Sequence, residues 1–180
     1  MVLRTALATP RHAARTTAWG SGSAWRSHGL PGPAGRVIFL NFDGVLHPTS
    51  IEVEQERMET VIGVGLFGWL PVLDDALRPH PDVNVVVHSP WRRTRCDEEL
   101  RLLLGSLGSR MVGSTPPDSC FEGIRNWLHS NPGVVSHRIL DLDPPRKYPR
   151  PLPPELIVCN PTQGVAASDV LGALRTWLAR

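Results

Sequence analysis

The feature that most limits how this chain can fold is a short apolar run that stops abruptly in polar residues, and that recurs. Val37-Ile38-Phe39-Leu40 ends in Asn41-Phe42-Asp43-Gly44, and Val83 to Val87 ends in His88-Ser89. Arg138-Ile139-Leu140 runs into Asp141-Leu142-Asp143, and Leu156-Ile157-Val158 leads to Asn160. The continuous run over 37–40 suits a strand buried on both faces, Val83 to Val87 repeats the pattern, and the other two segments are further strand candidates. Helical patterns lie between them, over Pro71 to Leu77 and Asp97 to Leu104. Asp118 is positioned to cap a helix with Phe121, Ile124, Trp127 and Leu128 on one face, ended near Asn131-Pro132-Gly133. Ser168 is positioned to cap another that carries Leu171, Leu174, Trp177 and Leu178. Strands alternating with helices imply βαβ units, so the expected fold is α/β and Rossmann-like, a mainly parallel sheet with helices on both faces.

In such sheets ligands sit beyond the carboxyl ends of the strands. The residues to examine are therefore Asn41 and Asp43, His88 and Ser89, Asp141 and Asp143, and Asn160. Three of these four groups suit a metal-and-phosphate site.

With 180 residues, 41% of them hydrophobic, the chain supports one domain with a substantial core. Residues 1–35 are rich in Gly, Ser, Ala, Pro and Arg, lack hydrophobic periodicity and read as a disordered basic extension, leaving 36–180 as the domain. Their acid-free, Arg-rich character also describes an organelle transit peptide, but Pro10, Gly20, Gly22, Gly29, Pro31 and Pro33 break any long amphipathic helix. An unstructured tail or a misplaced start codon is the favoured reading. Residues 1–36 carry a charge of +5 and the remainder −3, which does not describe a nucleic-acid-binding domain. No run of about 18 apolar residues points to a membrane span. Cys96, Cys120 and Cys159 form neither a disulfide framework nor a zinc pattern, and cytoplasm is the expected compartment. Cys120 and Arg125 are one residue too close for the Cys-x5-Arg loop of cysteine phosphatases.

The segment Phe39-Leu40-Asn41-Phe42-Asp43-Gly44-Val45-Leu46-His47-Pro48 resembles the first motif of haloacid dehalogenase (HAD) phosphatases, an apolar strand followed by Asp-x-Asp-Gly. More narrowly it resembles the HAD-like domain family of the Swiss Army knife RNA-repair proteins. Later pieces agree in order: His88-Ser89-Pro90-Trp91-Arg92, Val112-Gly113-Ser114-Thr115-Pro116, Ile124 through Trp127-Leu128, Leu140-Asp141-Leu142-Asp143, and Asn160-Pro161 with Gly164-Val165. The resemblance covers about residues 36–178.

That resemblance implies a specific chemistry. In the family the first aspartate attacks phosphorus and becomes an aspartyl-phosphate. The aspartate two residues on protonates the leaving group and then activates water. A Ser or Thr donates to a phosphoryl oxygen, a Lys or Arg offsets developing charge, and acids of the first and fourth motifs hold Mg²⁺. Carried over, Asp43 fits the acid/base role, and Ser89, Gly44 and Arg92 the phosphate contacts. Asn41, Asp43, Asp141 and Asp143 stand at the metal positions. Asn41 occupies the nucleophile position, and a neutral amide is neither an anionic nucleophile nor a strong Mg²⁺ ligand, so Mg²⁺ is expected to be weakened or absent. Leu142 replaces a frequent second acid. For the third-motif base Arg125 has the right order, while Lys147, the only lysine, follows the fourth motif.

Plainer roles stand beside these. Asp43-Gly44 would serve as a turn, Ser89 as a helix cap ahead of Pro90, Arg125 as a solvent-facing helix residue, and Asp141 or Asp143 as a turn closure. His47 and His88 lack a second His at ligand spacing and are read as packing or local hydrogen-bonding residues. The Arg92, Arg93, Arg95 cluster suits a solvated helix start as well as a phosphate. The span from Asp43 to His88 leaves little room for a cap, so the site is expected to be open. Two functions follow. One is an impaired phosphohydrolase that at most binds phosphorylated ligands. The other is an active Mg²⁺-dependent phosphomonoesterase on bulky substrates such as nucleic-acid ends.

Overall fold

A computed structural model describes residues 35–49, 65–116 and 120–180. Apart from Gly35, the expected extension over 1–35 lies outside the described residues, as does the Asp118 cap. The chain runs β1 (Gly35–Leu40), α1 (Leu70–Leu77), β2 (Val83–Val87), α2 (Asp97–Leu103), β3 (Met111–Ser114), α3 (Phe121–Ser130), β4 (Val134–Asp141), β5 (Leu156–Val158) and α4 (Ser168–Leu178). Short 3₁₀ turns fill Pro90–Arg93 and Gly105–Arg110. The five strands form one sheet in the order β3-β2-β1-β4-β5, and every pairing is parallel. This is the α/β, Rossmann-like architecture expected from the apolar runs.

Period-2 alternation along the strands divides the core in two. Ile38 and Leu40 of β1, with Val83, Val85 and Val87 of β2, pack against Leu73 and Leu77 of α1, Leu100 of α2 and Leu174, Trp177 and Leu178 of α4. Val37 and Phe39, with Val86 and Ile139, face the other way onto Ile124, Trp127 and Leu128 of α3 and onto Tyr148. Helices therefore cover both faces, which is why β1 shows an unbroken apolar run. Phe39 and Trp127 meet edge to face at 5.5 Å.

Three expectations need correction. Ser168 is the first residue of α4 rather than its cap; Ala167 takes the cap position, and no side chain bonds there. The strand β3 was not anticipated as a strand. Met111–Ser114 is short and holds Gly113 at φ 146°, so it carries little apolar signal. Arg138-Ile139-Leu140 is only the end of a longer strand, because Ser136 and His137 pair in register with Arg36 and Val37 despite their polarity. Between Asp43 and His88 the described residues hold α1 and β2 and no second domain; residues 50–64 lie outside them. No helix among the described residues is long and apolar enough to cross a membrane.

Candidate active site

Backbone hydrogen bonds carry the sheet register one step past the strands and set the site. His88 N donates to Leu40 O at 2.8 Å, Asn41 N to Leu140 O at 3.0 Å, and Thr115 N to Val87 O at 2.9 Å. Asn41, His88 and Thr115 thus line up with Asp141, the last residue of β4, along the carboxyl edge. The chain then turns sharply: Phe42 O accepts from Val45 N and Leu46 N, and Gly44 N donates to His47 O at 2.8 Å. Gly44 is required here. Its φ is 72°, and a Cβ would sit 2.9 Å from Leu142 and Thr49 side-chain carbons.

Asn41 is 4% exposed. Its Nδ2 donates to the backbone oxygen of Asp43 at 3.0 Å, and its Oδ1 has no hydrogen-bond partner among the described residues. Asp43 turns outward, its side chain 38% exposed, and Oδ1 accepts from Trp91 Nε1 at 3.1 Å and faces His47 Nε2 at 3.2 Å. Partial burial pushes the Asp43 carboxyl up, but the bonds from His47 and Trp91 outweigh it and hold the group below its ordinary value. The resting state of Asp43 is therefore a carboxylate. His47 is buried among Phe67 and Trp91.

Ser89 is fully buried, and Oγ accepts from Trp91 N at 3.4 Å, so it caps the 3₁₀ turn while its own O–H remains a donor. Both sequence readings of Ser89 are thus compatible in one geometry. His88 is 1% exposed and bonds Thr115 Oγ1 through Nδ1 at 2.8 Å, leaving Nε2 without a partner among the described residues. Burial, reinforced by the charges of Arg92 and Lys147, pushes its pKa down to about 3, so it is a neutral imidazole. Arg92 turns inward to carbonyls, with Nη1 on Ser89 O at 2.6 Å and Nε on Thr115 O at 3.0 Å. It braces the loops that carry Ser89 and Thr115.

Asp141 is fully buried and heavily engaged. Oδ1 accepts from Leu142 N at 2.7 Å, and Oδ2 accepts from Tyr148 O–H at 2.5 Å and pairs with Lys147 Nζ at 2.6 Å. The buried Tyr148 hydroxyl is pushed well up by desolvation and by Asp141, and stays a donor. Asp143 is paired instead with Arg150, at 3.0 and 2.9 Å. Arg125 stands on α3 with its side chain 66% exposed, paired with Glu122 at 3.3 Å, which is the solvent-facing role. Asn160 accepts from Thr162 and shapes a turn. Lys147, Tyr148 and Trp91 are site residues that the motif reading did not select. The available signal was that Lys147 is the only lysine in the chain.

The donor set does not fit a resident Mg²⁺. A hard divalent ion wants about six oxygen ligands with carboxylates among them. Here the nucleophile position offers one neutral amide oxygen, the Asp43 carbonyl accepts from Asn41, and the Asp141 carboxylate is held by an ammonium, a phenol and a backbone N–H. Among the described residues no three His, Cys, Asp or Glu side chains converge as a metal group.

A search of curated proteins and a search of solved structures each returned no match to this chain. A family model described as the HAD domain in Swiss Army Knife RNA repair proteins matches residues 37–170, well over half the chain. The parallel sheet, the strand-end placement of Asn41, Asp43, Ser89 and Asp141 and this match agree: the chain belongs to the family of HAD domains found in Swiss Army Knife RNA repair proteins.

Proposed function

We propose that this HAD domain binds a phosphorylated ligand without hydrolysing it. The observation that carries the reading is Asn41. A phosphoryl-transfer route through a covalent intermediate needs an anionic oxygen at this position, and Asn41 supplies a neutral amide whose nitrogen is already bonded to the Asp43 carbonyl. The remaining groups support binding. Ser89 retains an O–H to donate, and the His88 imidazole presents an unpartnered buried Nε2 at the same edge.

The family's description in RNA repair proteins favours a terminal phosphate of a nucleic acid as the ligand class. With a net charge of −3 outside residues 1–36, recognition would rest on the strand-end groups rather than on a broad basic surface. The test is turnover of an aryl phosphate, with Mg²⁺, by the natural chain and by its Asn41→Asp variant. The natural chain stays at the blank rate, and the variant gains Mg²⁺-dependent hydrolysis. Turnover by the natural chain at the variant's rate contradicts the reading.

A further inference from the structure

The polar residues at the carboxyl edge share one face of the sheet. Leu40 is level with Val87 on one side and Leu140 on the other. Val37 and Phe39 of β1, Val86 of β2 and Ile139 of β4 all point to the face that holds Tyr148. Alternation carries Asn41, His88 and Asp141 to that same face, and neighbouring strands lie about 4.8 Å apart. Asn41 is therefore flanked by His88 and by Asp141. Lys147 is anchored to Asp141 at 2.6 Å, at the end of the strand that borders Asn41.

Its position is built rather than accidental. The chain folds back after Pro144-Pro145, with Lys147 N donating to Pro144 O at 3.2 Å and Arg146 at φ 65°. The Lys147 side chain is 14% exposed, and its Nζ lies 5.9 Å from the Tyr148 ring centroid. Asn41 at 4% exposure and His88 at 1%, on the same face of the sheet as Asp141, present unpartnered polar atoms. An ammonium has three donors, and Asp141 takes one.

We propose that this site is metal-independent: the Lys147 ammonium, fixed by Asp141, supplies the positive charge that a divalent cation would supply, and donates to an oxygen of the bound phosphate group. The substitution at position 41 belongs to the same change. A carboxylate there would repel a phosphate dianion unless a cation lay between them, and the Asn41 amide removes that repulsion. The inference rests on the phosphate-binding reading above and adds the identity of the cation.

Because Lys147 is the only lysine, a uniformly 15N-labelled full chain gives one lysine side-chain ammonium resonance. Inorganic phosphate is titrated first in EDTA and then in excess Mg²⁺, following that resonance and the Asn41 side-chain amide. Both signals move in EDTA, and the midpoint is unchanged by Mg²⁺. Lys147→Gln weakens phosphate by at least about tenfold, as expected for loss of a charged hydrogen bond. The double variant Lys147→Gln/Asp141→Asn removes both charges together and shows the same loss without a lone buried carboxylate. Movement of the signals only when Mg²⁺ is present overturns the metal-independent proposal and leaves phosphate binding standing. So does movement of the Asn41 amide while the Lys147 signal stays still. No movement in either buffer overturns the phosphate-binding reading itself.

Discussion

Replacing Lys147 by Met isolates the pair that organises the end of β4. Asp141 is fully buried, and the Lys147 side chain is only 14% exposed, so their 2.6 Å contact is shielded from solvent. Removing the ammonium leaves a buried carboxylate with just Tyr148 O–H and Leu142 N as donors. Breaking one partner out of such a pair costs about 3–5 kcal/mol. Domains of this size are stable by only about 5–15 kcal/mol, so the variant should be folded but marginal. In the double variant Lys147→Met/Asp141→Asn the amide still accepts from Leu142 N, and no charge is stranded. Its loss should be smaller than that of the single variant by about 2 kcal/mol or more. Urea unfolding of the natural chain, both single variants and the double variant measures the coupling directly. A single-variant loss below about 1 kcal/mol, in the range of exposed pairs, would refute the claim that this contact is a shielded structural anchor.

Acid sensitivity follows from His88. The unfolded imidazole takes up a proton below its ordinary 6.5 and the folded one only near 3, so in that window the unfolded state binds more protons. Stability is fully present above pH 6.5 and falls by up to about 1.4 kcal/mol per pH unit below it; the half-buried His137, also shifted down, acts in the same sense. Denaturant midpoints from pH 8 to pH 5 check this, and His88→Asn should flatten the slope. Gly44→Ala places a methyl group 2.9 Å from Leu142 and Thr49 at φ 72°, and should cost about 1–3 kcal/mol in a thermal melt.

Strands buried on both faces were the most legible part of the sequence. Residues 37–40 of β1 and 85–87 of β2 are unbroken apolar runs because α1 and α4 cover one side and α3 the other. The same rule misses β3, where Gly113 and Ser114 interrupt the run, and truncates β4, where Ser136 and His137 enter the ladder as polar residues. Asn41, Asp43, Ser89 and Asp141 could be picked out because each directly follows or ends such a strand. Lys147 could not, since its place depends on the chain folding back after Pro144-Pro145, and motif order counts against it. Arg125 had the right order and the wrong direction. Ile124, Trp127 and Leu128 define the buried face of α3, and the Arg125 side chain points to solvent beside Glu122.

The most direct test of the central claim is the covalent step itself. The natural chain and Asn41→Asp are incubated with a reactive phosphoryl donor and Mg²⁺, quenched in acid and weighed intact. Asn41→Asp should gain one phosphoryl group, mapped to position 41, while the natural chain keeps its mass. A phosphorylated natural chain would mean that another residue serves as nucleophile, and the account of this domain as a non-hydrolysing phosphate binder would be wrong.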